Sequence, residues 1–529
     1  MKRGFPSPTH QQVDLLICGG GIYGAWTAYD AALRGLKVML VEQGDWASAT
    51  SSASSKLIHG GLRYLETYDF KLVSKALKER EMLLRTAPHR VWPLRFGVPI
   101  YSHQRISRVQ LKCGLIIYDF LAGDSHLHKP HAYLNPKRFS EHFRFLTEST
   151  LKGGFTYGDA QTDDARLVLE LIAGAVDAGA CCINYCRLTQ LLESNGRASG
   201  AIIQDQLSQA EQTIDAQQIV FTTGQWLAND SYSQSHCRLA KGIHLVMPPV
   251  MNQEALLLTA RSDGRVFFLI PWYGLTLLGT TDTDFKSDVE HTPVDESDID
   301  YLLAAVNDYL RSPWTRSDVI GSFAGVRVFK QSMLTDAADP PSEVSRDWEL
   351  KSAPNGVHYA IGGKITSSRP DAARIVDTVC EKLGISSVCV TEDRFFPWAP
   401  QEDAETWFSS MHNRALQLGI DPESALWLLR RHGTHSEEIF SNIATDVRLN
   451  RRILPSLPFI YADLLYCAAT EMVIHLDDLL RRRLPILILA KLTSDQLSQI
   501  AERVAVTLQW SDTRLRQEIE HCRHQWNLT

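Results

Sequence analysis

The sequence predicts an α/β protein followed by a helix-rich C-terminal domain, and three observations lead to this. Residues 13–18 form an apolar run that fits a buried parallel strand, a helical stretch covers 22–33, and residues 37–41 fit a second strand. This βαβ order requires a parallel sheet with a right-handed crossover. Strand-like and helix-like stretches alternate to about position 390, and helix-like stretches dominate after it. We therefore expect two domains, residues 1–395 and residues 396–529.

Composition and charge are those of an ordinary globular protein, and they argue against a nucleic-acid-binding or membrane-spanning protein. Hydrophobic residues make up 44% of the 529 residues, charged residues make up 22%, and the net charge is -7. That acidic balance argues against nucleic-acid binding, which needs a basic surplus. The N-terminus lacks the pattern of a signal peptide, and the chain has no run of about 18 apolar residues that would predict a membrane span. We expect a cytoplasmic protein with no nucleic-acid partner.

The ten cysteines are scattered and predict neither a disulfide framework nor a metal site. Cys181, Cys182 and Cys186 cluster, yet no pair has C-x-x-C spacing and no histidine ladder accompanies them. Reduced, mostly buried thiols of a cytosolic protein are the simpler interpretation. We expect no bound metal.

A glycine-rich turn between the first strand and the first helix matches the dinucleotide fingerprint G-x-G-x-x-G. The glycines allow a tight turn, close approach to a pyrophosphate, and close packing of helix on strand. The helix N-terminus then directs its partial positive charge at the phosphates. Glu42 ends the second strand, where a carboxylate accepts hydrogen bonds from ribose hydroxyls. The turn residues that we assign to the cofactor are Gly19, Gly21, Ile22, Tyr23 and Gly24.

A serine-rich segment at residues 49–66 bears on whether the bound dinucleotide is NAD or FAD. Lys56, His59, Arg63 and Tyr64 are embedded in it, which a solvated linker does not explain. The segment closely resembles that of the FAD-dependent glycerol-3-phosphate dehydrogenase family. Further resemblances to motifs of that family lie at residues 268–272, 278–282, 324–327, 345–347, 361–366, 461–463 and 475–483.

Three motifs depart from the usual pattern of that family. Gln225 and Val328 each stand where the family usually has proline, and residues 367–369 also differ. The glycine, tryptophan, lysine and arginine positions of these motifs are kept. The departures therefore bear on the choice of substrate rather than on the fold.

The resemblance implies a D-amino-acid-oxidase-like fold, in which a Rossmann-like FAD-binding part interleaves with a substrate part built on a mainly antiparallel sheet. It implies oxidation of sn-glycerol 3-phosphate to dihydroxyacetone phosphate with FAD as cofactor and a membrane quinone as acceptor. The sequence shows no clear histidine or cysteine tether for the flavin, so we expect non-covalent FAD. A protein without a spanning segment would then lie peripherally on the cytoplasmic face of the inner membrane, and a homodimer is one assembly it allows. The implied cofactor residues beyond the glycine turn are Glu42, Ser51, Ser52, Ser55, Lys56, Leu57, Gly224, Trp226, Gly363, Lys364 and Thr366.

Cationic side chains are expected at the substrate, because a phosphate monoester carries nearly two negative charges at neutral pH. The planar fork of arginine suits phosphate oxygens. Taken singly, each such residue has a simpler interpretation as a surface ion pair of about 0–1 kcal/mol. The implied fold, however, brings their separate motifs together. The substrate residues that we assign are Arg63, Tyr64, Arg327, Arg346 and Lys364.

Oxidation of an alcohol requires loss of a hydride from carbon and loss of a proton from oxygen. His59 is the candidate base, because an imidazole titrates near neutral pH. The alternatives are that His59 packs against the flavin ring and that Tyr64 belongs to the core. The catalytic residues that we assign are His59, Arg327 and Lys364.

Three rival functions stay open on the sequence. An oxidase would pass the electrons to oxygen, a related flavoenzyme would act on another hydroxy or amino substrate, and a binding module would hold FAD without catalysis. The retained His59, Arg327 and Lys364 argue against the binding module. The arginines at residues 481–483 are interpreted as a solvated helix end, or alternatively as a contact for anionic lipid headgroups.

Overall fold

The computed structural model describes residues 1, 3–5, 11–65, 68–102, 106–123, 129–250, 253–331 and 348–526. The strands are β1 (Gln11–Cys18), β2 (Val38–Val41), β3 (Leu57–Ile58), β4 (Val91–Tyr101), β5 (Ala132–Leu134), β6 (Leu151–Thr162), β7 (Cys181–Ile183), β8 (Cys186–Ser194), β9 (Arg197–Asp205), β10 (Glu211–Phe221), β11 (Cys237–Met247), β12 (Ala255–Thr259), β13 (Val266–Trp272), β14 (Leu275–Gly279), β15 (Thr283–Asp284), β16 (Gly321–Lys330), β17 (Glu349–Ser352) and β18 (His358–Ile361). The α-helices are α1 (Ile22–Leu33), α2 (Phe70–Thr86), α3 (Arg108–Ala122), α4 (Pro136–His142), α5 (Asp164–Asp177), α6 (Glu296–Asn307), α7 (Ser368–Leu383), α8 (Ala404–Gln417), α9 (Pro422–His432), α10 (Ser436–Thr445), α11 (Tyr461–Thr470), α12 (Leu476–Asp478), α13 (Ile486–Leu489), α14 (Ser494–Leu508) and α15 (Asp512–Gln525).

The first sheet contains the predicted βαβ unit and is mostly parallel. Its order is β17, β18, β10, β1, β2 and β7, and β9 and β8 extend it beside β10. The parallel pairs are β18 with β10, β10 with β1, β1 with β2, and β2 with β7. Helices α5 and α7 both pack against α1 beside this sheet. This apolar layer explains why the β1 and β2 runs contain almost no charged residue.

The second sheet is mainly antiparallel. Its order is β15, β11, β14, β13, β12, β4, β6 and β3, with β16 paired to β11 and β5 paired to β6. The pair of β12 with β4 is parallel, and the other pairs are antiparallel. Strands of the two sheets come from alternating stretches of the chain, so the interleaved D-amino-acid-oxidase-like architecture is confirmed.

Helices α8 to α15 form the C-terminal part, as the sequence predicts, and they pack closely on the second sheet. Trp427 of α9 contacts Trp92 of β4 edge-on, with ring centroids 5.7 Å apart, and Tyr273 beside β13 at 4.0 Å. One buried apolar cluster therefore includes side chains of both the sheet and the C-terminal helices. No helix in the described ranges is both long enough and apolar enough to cross a membrane.

The three consecutive arginines do not lie at a solvated helix end, which corrects both sequence interpretations. Arg481, Arg482 and Arg483 are buried in a π-helical turn that follows α12. The Arg482 guanidinium donates to Asp45 at 2.5 Å and to Asp478 at 2.6 Å, and Arg483 also pairs with Asp45. Their partner Asp45 comes from the segment after β2, so the run joins the C-terminal helices to the first sheet.

Candidate active site

A cavity of about 800 Å³ lies between the two sheets, at the carboxyl ends of the parallel strands. The loops after β1, β10 and β18 contribute Gly19, Thr222 and Gly362 to its lining, and β11 and β16 contribute from the other sheet. In open α/β sheets, ligands bind at this edge of the strands. The volume is within the range of ligand pockets in proteins.

The glycine turn after β1 fits tightly against β10, and side chains are excluded there. Gly19 has φ +109°, and a Cβ on it would lie 2.7 Å from the carbonyl oxygen of Thr222. A Cβ on Gly24 would lie 1.9 Å from the carbonyl oxygen of Gly19, so Gly24 serves the packing of α1 on β1. Gly19, Gly21, Ile22 and Tyr23 line the cavity, whereas Gly24 lies behind them.

Glu42 lines the cavity at the end of β2 and braces the glycine turn. Its carboxylate accepts hydrogen bonds from the backbone N–H of Gly20 at 2.6 Å and of Gly44 at 2.8 Å. Burial raises the pKa of this carboxyl, and the two N–H groups oppose that shift. A carboxylate offers about four lone-pair sites, so hydroxyl groups of a ribose can still be accepted. The turn, Glu42 and the cavity volume together fit a dinucleotide cofactor.

The serine-rich segment contributes one side of the cavity lining, and two of the residues assigned from it lie elsewhere. Ser51, Ser55 and Leu57 line the cavity. The Lys56 ammonium is buried, donating to Asp164 at 2.5 Å and to the carbonyl oxygen of Ser52 at 2.6 Å. Ser52 and Lys56 thus lie behind the cavity wall, which differs from their assignment to the cofactor. Lys56 has φ +58°, so the chain turns at this residue, and its side chain points to Asp164 rather than to the cavity.

A buried hydrogen-bond network holds the next residues, His59 and Gly60, at the cavity. The backbone N–H of Gly60 donates to the Tyr118 hydroxyl at 2.9 Å and to Asp159 at 3.2 Å. Asp159 also accepts from the Tyr118 hydroxyl at 2.7 Å and from Arg80 at 2.8 Å. The backbone of His59 is therefore fixed by α2, α3 and β6, and the His59 side chain lines the cavity.

Arg63, Tyr64, Arg327 and Lys364, assigned to the substrate, all line this cavity. The Lys364 ammonium lies 3.9 Å from the centroid of the Tyr64 ring, within the range of cation–π attraction. Arg327 donates to Asp282 at 3.0 Å and to the Thr280 hydroxyl at 2.8 Å. Gly242 makes room for this arginine, because a Cβ there would lie 2.4 Å from Arg327 Nη2. Arg346 lies outside the described residues.

The remaining assigned residues lie on loops after β10 and β18. Gly224, Trp226, Gly363 and Thr366 all line the cavity. Gly363 has φ +102°, and a Cβ on it would lie 1.8 Å from the Tyr23 hydroxyl oxygen. Only glycine therefore fits at this position, where the loop approaches the start of α1.

His244 of β11 lines the cavity and was not identified from the sequence. Its Nε2 lies 2.8 Å from the Ser55 hydroxyl, and its ring stacks on Phe323 at 5.0 Å. Burial, reinforced by the charges of Arg327 and Lys56, lowers its pKa well below the ordinary histidine value. Its Nδ1 has no hydrogen-bond partner among the described residues, so a protonated ring would bury an unsatisfied N–H. This imidazole is therefore neutral. The sequence feature that could have identified His244 as a site residue is a lone histidine in an apolar strand near Gly242.

Fold and cavity together define an FAD-dependent oxidoreductase, and comparison with known proteins agrees. A family model described as FAD dependent oxidoreductase matches residues 14–369. A second, described as the C-terminal domain of alpha-glycerophosphate oxidase, matches residues 389–515. A solved glycerol-3-phosphate dehydrogenase from Bacillus halodurans, complexed with FAD, superposes with a TM-score of 0.79 and 27% identity, covering 99% of this chain and 96% of that one.

Two curated relatives narrow the class to a family. Glycerol-3-phosphate dehydrogenase of Synechocystis sp. is 35% identical over 93% of this chain and 92% of that protein. D-erythritol 1-phosphate dehydrogenase of Brucella abortus is 40% identical over 68% of this chain and 72% of that protein. The chain belongs to the FAD-dependent glycerol-3-phosphate dehydrogenase family.

Proposed function

We propose that this chain oxidises sn-glycerol 3-phosphate to dihydroxyacetone phosphate, with FAD as cofactor and a membrane quinone as electron acceptor. The observation that carries the proposal is the grouping of Arg63, Arg327 and Lys364 around one cavity beside the neutral imidazole of His244. A phosphate dianion requires several cations when it leaves water. A secondary alcohol that loses a hydride also requires a proton acceptor.

Each group at the cavity has a distinct task. FAD supplies the acceptor for the hydride that leaves the C2 carbon of the substrate. The guanidinium of Arg327, oriented by Asp282 and Thr280, binds the phosphate together with Arg63 and Lys364. His244 is neutral in the empty site, and it accepts the proton of the C2 hydroxyl when the charge of the bound phosphate offsets Arg327 and Lys56, which leaves a ketone as product. His59, held through the backbone of its neighbour Gly60, orients the substrate over the flavin site.

The direct test is anaerobic reduction of the flavin by substrate. Purified protein should be yellow, and acid or heat should release FAD rather than FMN, because the glycine turn accommodates a pyrophosphate. Adding glycerol 3-phosphate without oxygen should bleach the flavin bands. A colourless protein that does not take up FAD, or a flavin that glycerol 3-phosphate does not bleach, would refute the proposal.

The acceptor and the location are tested separately. A quinone analogue should be reduced in air with little peroxide, whereas an oxidase would form peroxide in proportion to the substrate consumed. High salt or mild detergent should release the protein from the cytoplasmic face of the membrane. Retention in the membrane pellet after a carbonate wash would contradict peripheral attachment.

A second candidate substrate is a longer polyol phosphate. It is favoured by the 40% identity to D-erythritol 1-phosphate dehydrogenase and by Gln225 and Val328, which depart from the usual family motifs and line the cavity. Comparison of kcat/KM for D-erythritol 1-phosphate and sn-glycerol 3-phosphate distinguishes the two. A ratio above one would replace the three-carbon substrate with the four-carbon one and leave the cofactor and reaction unchanged.

A further inference from the structure

The hydroxyl of Tyr157 is a buried polar group at the cavity. Tyr157 lies on β6, lines the cavity and is 2% exposed. Its ring stacks on Phe96 of β4, with centroids 5.4 Å apart, and meets the ring of Tyr118 edge-on at 5.7 Å. These contacts fix the ring, yet the hydroxyl makes no hydrogen bond with any residue in the described ranges. Because a buried tyrosine hydroxyl usually has a partner, we expect that partner to be a molecule bound in the cavity.

The strand that carries Tyr157 is held firmly at this point. Asp159, two residues further along β6, lies on the same face of the strand as Tyr157. Its carboxylate accepts hydrogen bonds from Arg80 at 2.8 Å and from the backbone N–H of Gly60 at 3.2 Å. Tyr157 therefore lies near the loop that carries His59, and a side chain held in this way loses little further freedom when a ligand binds.

The cavity wall around Tyr157 is apolar. Phe96 meets Phe268 of β13 edge-on at 5.9 Å, and Leu257 of β12 pairs with Phe268 across the sheet. All three side chains line the cavity. Such a wall does not suit a phosphate dianion, which would lose its hydration without compensation. It suits a short carbon chain that carries a hydroxyl group within reach of Tyr157.

The Tyr157 hydroxyl keeps its proton. Burial raises the pKa of Tyr157 well above its ordinary value, and the carboxylate of Asp159 adds to the shift against the opposing charge of Arg80. A neutral phenol is both a donor and an acceptor of hydrogen bonds. It can therefore bind an alcohol group of a ligand without adding charge to the cavity.

The substrate has two unlike ends, and the cavity offers a different wall to each. The phosphate end requires cations, which Arg63, Arg327 and Lys364 supply. The other end is an uncharged CH2OH group. We propose that the Tyr157 hydroxyl binds the C1 hydroxyl of the substrate, so that the enzyme takes polyol phosphates in preference to their deoxy analogues. The inference rests on the proposed function, and it applies equally to a four-carbon polyol phosphate, whose chain also ends in a hydroxyl.

Two deletions test this contact, one in the protein and one in the substrate. Tyr157→Phe removes the phenolic hydroxyl, and the matching enantiomer of 2-hydroxypropyl phosphate lacks only the C1 hydroxyl. With a soluble dye as acceptor, Tyr157→Phe should lower kcat/KM for glycerol 3-phosphate roughly 5- to 100-fold, because the C1 hydroxyl loses its partner. The wild type should show a similar fall on 2-hydroxypropyl phosphate. On that substrate Tyr157→Phe should match the wild type, since both deletions remove the same contact.

Tyr101→Phe is the matched control, because it removes another buried hydroxyl. Tyr101 of β4 is also 2% exposed, but its hydroxyl donates to the carbonyl oxygen of Thr147 at 2.9 Å, outside the cavity lining. This variant should keep kcat/KM near that of the wild type on both substrates. FAD content and the flavin spectrum should be unchanged in both variants.

Three results would overturn the inference and leave the proposed function standing. One is near wild-type kcat/KM of Tyr157→Phe on glycerol 3-phosphate. Another is an equal loss on both substrates, which would assign the hydroxyl to a group that both contain, such as the phosphate. The third is weaker FAD binding by Tyr157→Phe, which would assign it to the cofactor. A wild type whose flavin glycerol 3-phosphate does not bleach would instead refute the proposed function, and the inference with it.

Discussion

Arg327 enters the cavity with its guanidinium already oriented. Nη1 donates to Asp282 and Nη2 to Thr280, both on the segment that follows β14. Gly242 on the neighbouring strand leaves the space that the guanidinium occupies. An arginine positioned in this way loses little further side-chain freedom when an anion binds, and its planar fork suits two phosphate oxygens.

Arg327→Ala should therefore lower kcat/KM for glycerol 3-phosphate by roughly 30- to several-thousand-fold. Truncating one partner of a buried charge pair costs about 2–5 kcal/mol, and each 1.4 kcal/mol is about one decade in rate. Arg327→Lys should restore the rate only in part, because a point charge does not replace the fork. FAD content should stay unchanged. Activity on uncharged glycerol, where it is measurable, should fall much less.

Arg238→Ala provides the matched control for this variant. Arg238 lies on β11 and pairs with Asp284 at 2.8 Å, outside the cavity lining. It should keep kcat/KM near that of the wild type. Near wild-type kcat/KM in Arg327→Ala would remove Arg327 from the substrate site and weaken the phosphate assignment with it.

His244→Gln should lower kcat by about 10²- to 10⁴-fold, which is the usual contribution of a general base. Glutamine keeps a polar group near Ser55 but does not accept a proton. Steady-state kinetics and the flavin spectrum are the measurements, and the spectrum should stay that of bound FAD. His142→Gln, at an exposed histidine outside the cavity, serves as control. If His59→Gln abolishes kcat while His244→Gln does not, the proton acceptor is His59.

Lys56 and Lys364 show that a sequence motif does not predict where a side chain points. Both lie in segments that resemble the family, yet Lys364 lines the cavity and Lys56 is buried against Asp164. A motif gives the identity of a residue but not the side to which its chain points, which depends on the local backbone. His244 was missed for a related reason. Only the pairing of β11 with β14 and β16 brings it to Ser55.

At the scale of elements, the arginine turn at residues 481–483 forms buried ion pairs that the sequence did not reveal. Three adjacent arginines predict a solvated helix end when no acidic partner lies near them in the sequence. Their partner Asp45 could not be identified in this way, because it lies more than 400 residues earlier in the chain. Arg482 and Arg483 both pair with Asp45, and Arg483 also donates to the carbonyl oxygen of Glu471 at 2.7 Å. The pairing ties the C-terminal helices to the segment that follows β2.

Arg483→Met should destabilise the folded protein by about 3–5 kcal/mol, the usual result of removing one partner from a buried ion pair. Thermal unfolding of the FAD-loaded protein, followed by circular dichroism, would measure it as a clear fall in the apparent melting temperature. The control is Arg448→Met, because Arg448 pairs with Asp446 at the surface and such pairs contribute about 0–1 kcal/mol. Equal melting temperatures for the two variants would contradict a supporting role for the buried pair.

At the scale of the whole molecule, hydrophobic periodicity and the positions of glycines predict the helices and strands better than they predict how these elements pack together. The βαβ unit, helix α2 and the C-terminal helices follow from local patterns. The sequence from 88 to 150 has no clear hydrophobic period, because β4 is buried along most of its length and α3 is apolar on two sides. The domain division near residue 395 stays a prediction, since the C-terminal helices share a buried cluster with the second sheet.

A second buried ionic cluster joins the two parts of the molecule and includes a neutral histidine. His432, at the end of α9, contacts Asp463 of α11 at 2.6 Å through Nε2, and Arg166 of α5 at 3.4 Å through Nδ1. Arg166 also pairs with Glu471 at 2.5 Å. Burial lowers the pKa of His432 to about 4, although the charge of Asp463 opposes the shift. The pKa of Asp463 is held at about 2, chiefly by Arg431 and His432 against the effect of burial.

His432→Gln should reduce the loss of stability between pH 7.5 and pH 5. The unfolded histidine has a pKa of about 6.5, so between that pH and about 4 the unfolded chain binds more protons than the folded one. Stability therefore falls as the pH falls through this window, by up to about 3 kcal/mol from this residue. Asp463 and Glu471, whose pKa values are lowered, stay ionised in the folded protein at both pH values.

The measurement is the difference in apparent melting temperature between pH 7.5 and pH 5, taken for the wild type and for His432→Gln. Subtracting one difference from the other removes the contribution of the other histidines, which both proteins share. The variant should lose less stability on acidification, because glutamine stays neutral in the folded and the unfolded chain. A difference as large in the variant as in the wild type would mean that protonation of His432 does not drive acid destabilisation at this interface.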